Sequence, residues 1–138
     1  NHDAQVFQNY FNALITEIRK AVSDDFYKIS GEALIVLTEL VQIIRPSLSI
    51  DSNGIDSNSG AFGYLDTLYS MTYDKLKVSD VDLEVKESAI NCMAQIICTF
   101  GDHMNDEYLF RTFALFLERL KNETTRLTCV RALIKITR

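Results

Sequence analysis

Tryptophan is absent, proline occurs once, as Pro46, and histidine twice, as His2 and His103. With only 5 glycines besides, long stretches carry no helix breaker, and helix is the default conformation. Three cysteines, Cys92, Cys98 and Cys129, cannot all pair internally, and none stands at the close Cys or His spacing of a zinc site. Cys92 and Cys129 fall on apolar stripes, where a free thiol packs as a small hydrophobe, so a reduced intracellular setting is expected. No phosphate-binding G-x-x-x-x-G-K-S/T run is present, no basic-then-apolar leader follows Asn1, and no apolar stretch approaches the length of a membrane span. Lacking an initiator Met, the chain reads as a soluble piece of something longer.

What is present is a globular composition, with 47% hydrophobic and 24% charged residues in 138, enough for one domain with a core. The stretch from Asp80 to Ile97, DVDLEVKESAINCMAQII, organises the rest. Asp80 and Asp82 offer acceptors for the free amides of a helix start, and Glu84 and Glu87 suit the positive end of the macrodipole. Val85, Ala89, Cys92, Met93, Ile96, Ile97 and Phe100 then recur at spacings of three and four, a single apolar stripe that Gly101 ends. About forty residues later the pattern returns in NETTRLTCVRALIKI, with Asn122 for Asp82, Thr125 for Val85, Arg126 for Lys86, Cys129 for Ala89, Leu133 for Met93 and Ile136 for Ile96. A recurrence of that length in an all-helical chain is the mark of stacked helix pairs.

Along the chain, Val6, Phe7, Tyr10, Phe11, Leu14, Ile15, Ile18 and Val22 trace a first helix over Asp3 to Val22. A second, Tyr27 to Arg45, carries Ile29, Ala33, Val36, Leu37, Leu40, Val41 and Ile44, and Pro46 is expected to stop it. A polar loop follows at Ser47 to Gly60. Ala61 to Lys77 resumes helical spacing through Phe62, Leu65, Leu68, Tyr69, Thr72 and Leu76. Asp106 to Lys121, with Leu109, Phe110, Phe113, Phe116, Leu117 and Leu120, pairs with Glu123 to Thr137. The expected architecture is an all-α superhelix, a HEAT-repeat solenoid of about six helices in three antiparallel pairs. Its repeats fall at 1–46, 61–101 and 105–138, with the loop at 47–60. The first or the last helix is expected to expose apolar residues that invite self-association.

Candidate chemistry is thin. His103 beside Asp102 is a turn pair without a nucleophile in any recognisable motif. Asp51, Asn53, Gly54 and Asp56 resemble part of a calcium loop, but Ile55 stands where an oxygen ligand belongs and Phe62 where the closing glutamate belongs. Asn122, Glu123 and Thr124 form a glycosylation sequon that is idle in a reduced compartment. No catalytic residue, cofactor or metal is expected.

Surface charge is more informative. Residues 1–106 carry 7 basic and 16 acidic side chains, net −9, whereas residues 107–138 carry 7 and 3, net +4. The forty-residue offset maps Asn91 onto Arg131 and Gln95 onto Lys135, with Arg138 a turn further. These five residues, off the core stripe of second helices, are the candidate partner-binding positions, since second helices line the inner side of a solenoid. Asp82 with Lys86, and Asn122 with Arg126, are expected instead to form a structural ladder between repeats.

The runs DVDLEVKESAINCMAQIICTFGD, LFLERLKNETTRLTCVRALIKI and FYKISGEALIVLTELVQIIRP resemble interior HEAT repeats of the cullin-associated, neddylation-dissociated family. The resemblance covers residues 25–46 and 76–138; residues 1–24 and the loop show no family-specific match. It implies a non-enzymatic solenoid, cytoplasmic and nuclear. Such a scaffold wraps unmodified cullin and its RING partner, blocks attachment of the ubiquitin-like modifier and promotes exchange of substrate receptors. It implies no membrane partner. Another HEAT scaffold, such as a nuclear transport receptor or phosphatase scaffold, fits the same architecture. Nucleic-acid binding through the basic last repeat is the alternative of a different class, although the net charge of −5 opposes it.

Overall fold

The computed structural model describes residues 2–48 and 61–138, with side chains from residue 9 to 44 and from 63 onward, and that of Val6. Among them are six helices: α1 (His2–Val22), α2 (Tyr27–Leu48), α3 (Leu65–Lys77), α4 (Leu83–Phe100), α5 (Asp106–Lys121) and α6 (Arg126–Thr137). No strand occurs among the described residues. Neighbours pair as α1 with α2, α3 with α4 and α5 with α6, and the pairs stack in chain order, as the all-α solenoid reading requires. The Ser-Asn-Asp loop, and with it the calcium-like residues 51–56, lies outside the described residues.

Local side-chain hydrogen bonds set several helix ends. The Asp82 carboxylate caps α4 by accepting from the Glu84 amide at 3.0 Å, and the Asn105 side chain caps α5 by accepting from the Tyr108 amide at 2.7 Å. Asp24 accepts from the Phe26 amide at 2.8 Å and folds the turn between α1 and α2. Several boundaries differ from the expected ones: α3 begins at Leu65, after a 3-10 turn over Ala61–Tyr64, where helical spacing from Ala61 is expected. Helix α2 continues past Pro46 to Leu48, because proline's fixed φ is itself helical and so near the end only one backbone hydrogen bond is lost. Gly101 ends α4 without turning left-handed: its φ of −51° and ψ of −39° lead into a 3-10 turn over Gly101–His103. Helix α6 starts at Arg126 rather than Glu123. The Asn122 side chain holds the preceding turn by accepting from the Thr124 amide and hydroxyl at 3.0 and 2.8 Å.

The second helices pack on one another along the stack, α2 on α4 and α4 on α6, more extensively than the first helices do. The layer with the closer helices lies on the inside of any curve, so α2, α4 and α6 form the inner layer and α1, α3 and α5 the outer. Helix α4 is enclosed by α2, α3 and α6, and its whole expected stripe is buried, together with Ile90, Ala94 and Gln95. On α2 the stripe is narrower than expected. Ala33, Leu37, Val41 and Ile44 are buried, but Ile29 and Val36 are exposed.

The outer layer meets through polar and aromatic groups. The Tyr69 ring stacks on Tyr108 at 4.1 Å, and its hydroxyl donates to the Tyr108 carbonyl at 3.1 Å while accepting from Thr112 at 3.2 Å. Arg119 of α5 reaches across to the end of α3 and donates to the Leu76 and Val78 carbonyls at 2.5 and 3.4 Å, satisfying acceptors that the helix end leaves free. Arg126 acts within its own pair, donating to the Leu120 and Lys121 carbonyls at 2.9 and 3.2 Å. The expected ladder is therefore replaced: Asp82 and Arg126 cap helices, and Arg119 links neighbouring pairs.

Both ends of the stack show apolar surface. Val6, Tyr10 and Leu14 of α1 are exposed, as are Phe110, Phe113 and Leu117 of α5 and Leu127, Val130 and Ile134 of α6. Stacked repeats bury such faces against the next pair.

Candidate functional site: the inner face

Successive second helices present equivalent positions to the inner surface. The fifty-six-residue offset maps Lys28, Gly31, Glu32, Ile35 and Glu39 of α2 onto Glu84, Glu87, Ser88, Asn91 and Gln95 of α4. Nine of these ten residues, with Thr38 in place of Gln95, line one open groove of about 670 Å³ between the two helices. Gly31 sits at its base, where a β-carbon would come 4.0 Å from the Val85 side chain. Ile35, 47% exposed, adds an apolar patch. Glu32, Glu39, Glu84 and Glu87 make its rim acidic, with Lys28 the one cation among the lining residues. None of these four carboxylates joins an ion pair among the described residues, where the pairs found are Lys20 with Glu17, Lys77 with Asp74 and Lys121 with Glu118.

A smaller cleft of about 280 Å³ on the outer side behaves differently. Arg19 and Lys75 there stand among Asp66 and Asp74, so its charge is balanced from within. Asp66 in addition accepts from the Tyr108 hydroxyl at 3.0 Å, which pushes the Tyr108 phenol up.

The five expected partner-binding positions do not share one environment. Asn91 is exposed and lines the acidic groove. Arg131 and Lys135 of α6, and Arg138 just past its end, are exposed at spacings of four and three, a basic ridge one helix further along. Gln95 is a correction. It is only 6% exposed, accepts from the Gln42 amide at 3.1 Å and donates to the Thr99 hydroxyl at 3.1 Å. Its helix is covered on both flanks by second helices, so the amide ties α2 to α4 instead of facing solvent. Reasoning from the sequence missed the four groove glutamates. The signal was the net charge of −9 over residues 1–106, but nothing local says that acids on two helices share a groove.

No arrangement for catalysis emerges from these residues. Asp102 and His103 are exposed in the turn after α4, away from the groove. No group of three His, Cys, Asp or Glu side chains suited to a metal occurs among the described residues. Cys92 and Cys129 form no disulfide, and burial pushes the Cys92 thiol up to about 11 and raises that of Cys129. Both are inert packing groups rather than nucleophiles. Among the described residues no helix is long and apolar enough to cross a membrane.

Stacked helix pairs with a charged inner face define a helical-repeat protein of the solenoid class. Comparison with known proteins makes the class specific. A family model described as "CAND1-like, TPR repeats" matches residues 1–93, and the chain belongs to that family. The match takes in residues 1–24, where the sequence alone showed no family signal. The chain is similar to Cullin-associated NEDD8-dissociated protein 1 of Drosophila melanogaster, 46% identical over 98% of this chain, and to that of Arabidopsis thaliana, 38% over 96%. Cullin-associated NEDD8-dissociated protein 2 of Mus musculus is 37% identical over 94%. The chain spans about 10% of the length of these relatives.

Proposed function

We propose that this chain is a non-catalytic binding segment of a scaffold that wraps an unmodified cullin and its RING partner. Such a scaffold blocks attachment of the ubiquitin-like modifier and promotes exchange of substrate receptors. One observation supports the reading most: two unlike charge patches lie side by side on the inner layer of a solenoid whose relatives are named as cullin-associated. Two buried thiols, Cys92 and Cys129, with no disulfide between them, suit the reducing cytoplasm and nucleus where we place it.

The reading assigns the chain no chemistry; contacts spread over helix faces hold and occlude. Because affinity is distributed over many repeats, a segment of this length binds more weakly than the whole solenoid. The test is retention of purified unmodified cullin with its RING partner on the immobilised chain, and on a longer solenoid containing it. Retention by both, weaker by the chain, is expected. Failure of both removes the cullin reading and leaves another helical scaffold. Nucleic-acid binding is disfavoured by charge, since the three cations of the last repeat belong to a chain of net −5.

A further inference from the structure

The inner face changes sign along the stack at equivalent positions. Where α2 has Glu39, α4 has the buried Gln95 and α6 has Lys135; where α2 has Ile35, α4 has Asn91 and α6 has Arg131. Four carboxylates around the α2–α4 groove find no cation partner among the described residues beyond Lys28 at one end, while the α6 ridge carries three cations and no acid between them. Like charges held together without counter-charges repel, and a complementary partner relieves that repulsion.

From this geometry we infer that the inner face holds a partner segment of segregated charge, its basic part in the groove between α2 and α4 and its acidic part over the α6 ridge. The dimensions fit an extended chain. From Lys28 to Glu39 the groove runs about 16 Å at helical rise, roughly five extended residues. The ridge lies one further helix away, a step of about 8–10 Å. Ile35 and Gly31 give the groove an apolar, uncrowded base for the stems of Lys or Arg, and the glutamates meet their charged heads. The inference rests on the cullin reading only for where such a segment comes from.

Two synthetic peptides of fourteen residues test it, both built from equal numbers of Lys and Glu with Ser spacers. One carries the lysines in one half and the glutamates in the other; the second alternates them. Both are neutral overall, so attraction to the chain's net −5 cancels. In fluorescence anisotropy the block peptide is expected to bind about tenfold or more tightly than the alternating one. Glu39→Lys with Glu87→Lys is expected to weaken it about tenfold, as is Arg131→Glu with Lys135→Glu. Glu17→Lys with Glu118→Lys, on the outer layer, changes it less than twofold. Equal binding of the two peptides, or equal loss from the outer-layer variant at unchanged melting, overturns the inference. So does a dimer in sedimentation that Glu39→Lys with Glu87→Lys dissolves, because the groove is then filled by a second copy. In cullin retention the outcomes separate: retention by the parent chain that Glu39→Lys with Glu87→Lys leaves intact sinks this inference alone, whereas no retention by parent chain or longer solenoid sinks the cullin reading.

Discussion

Helices α4 and α6 carry the same residue pattern forty positions apart, yet α4 buries ten of its eighteen residues and α6 two of its twelve. Their equivalents tell the same story: Met93 and Ile96 are fully buried, while Leu133 and Ile136 are half-buried. Neighbours make the difference, because α4 has a second helix on each flank and α6 on one. A repeat's sequence therefore sets which side chains are available for burial, and its place in the stack sets how many of them are buried.

The comparison is broken most forcefully by cavities. Met93→Ala is expected to cost about 3 kcal/mol in urea unfolding, since a fully enclosed site cannot collapse around the void. Leu133→Ala should cost about 1 kcal/mol, because its half-open site already meets solvent. Equal losses would mean that α6 is as enclosed as α4.

Capping arginines sharpen it next. Arg119→Ala removes the donor to two α3 carbonyls across the pair boundary, and a loss of about 2 kcal/mol is expected from a part-buried, charge-assisted contact. Arg126→Ala frees exposed carbonyls of its own pair and should cost about 0.5–1 kcal/mol. For Arg126 the loss is expected in the melting curve and not in cullin retention; unchanged melting with weakened retention would move it to the binding surface.

Titration probes the enclosure of α4 directly. Burial raises the folded Cys92 thiol from 9.0 to about 11, so the native state keeps a proton that the unfolded chain releases. The thiol's contribution is fully present below pH 9 and is lost as pH climbs from about 9 toward 11. Cys92→Ala should flatten the fall in stability between pH 8.5 and 10.5 measured by urea unfolding. A slope that stays the same would show that Cys92 is not enclosed.

Smallest in stability is the open side of α6. Leu127→Glu with Ile134→Glu is expected to shift folding by about 0.5 kcal/mol or less per site, because both side chains are exposed. Its effect should appear in sedimentation, where the parent chain self-associates with rising concentration and the variant remains a monomer.

Much of the fold was legible because its signals are local. The α4 stripe, the Asp82 cap, the start of α5 at Asp106 and the forty-residue recurrence depend on residues within a few turns of one another. The basic ridge was legible for the same reason: Arg131, Lys135 and Arg138 share one face of a helix whose outer flank is open. Gln95 was misread because its exposure depends on α2, fifty-three residues earlier, whose Gln42 captures its amide. Ile29 and Val36 were misread for the converse reason, since apolar spacing marks a stripe but not its width.

Periodicity, capping side chains and the scarcity of breakers by themselves determined that this chain forms paired helices in a repeating array with acid early and base late. Only the tertiary structure decided that α4 is the enclosed helix, that Arg119 and not Arg126 joins neighbouring pairs, and that four glutamates from two helices rim one groove. Helix formation is settled by residues three and four apart, whereas burial and charge proximity are settled by whichever helix lies alongside.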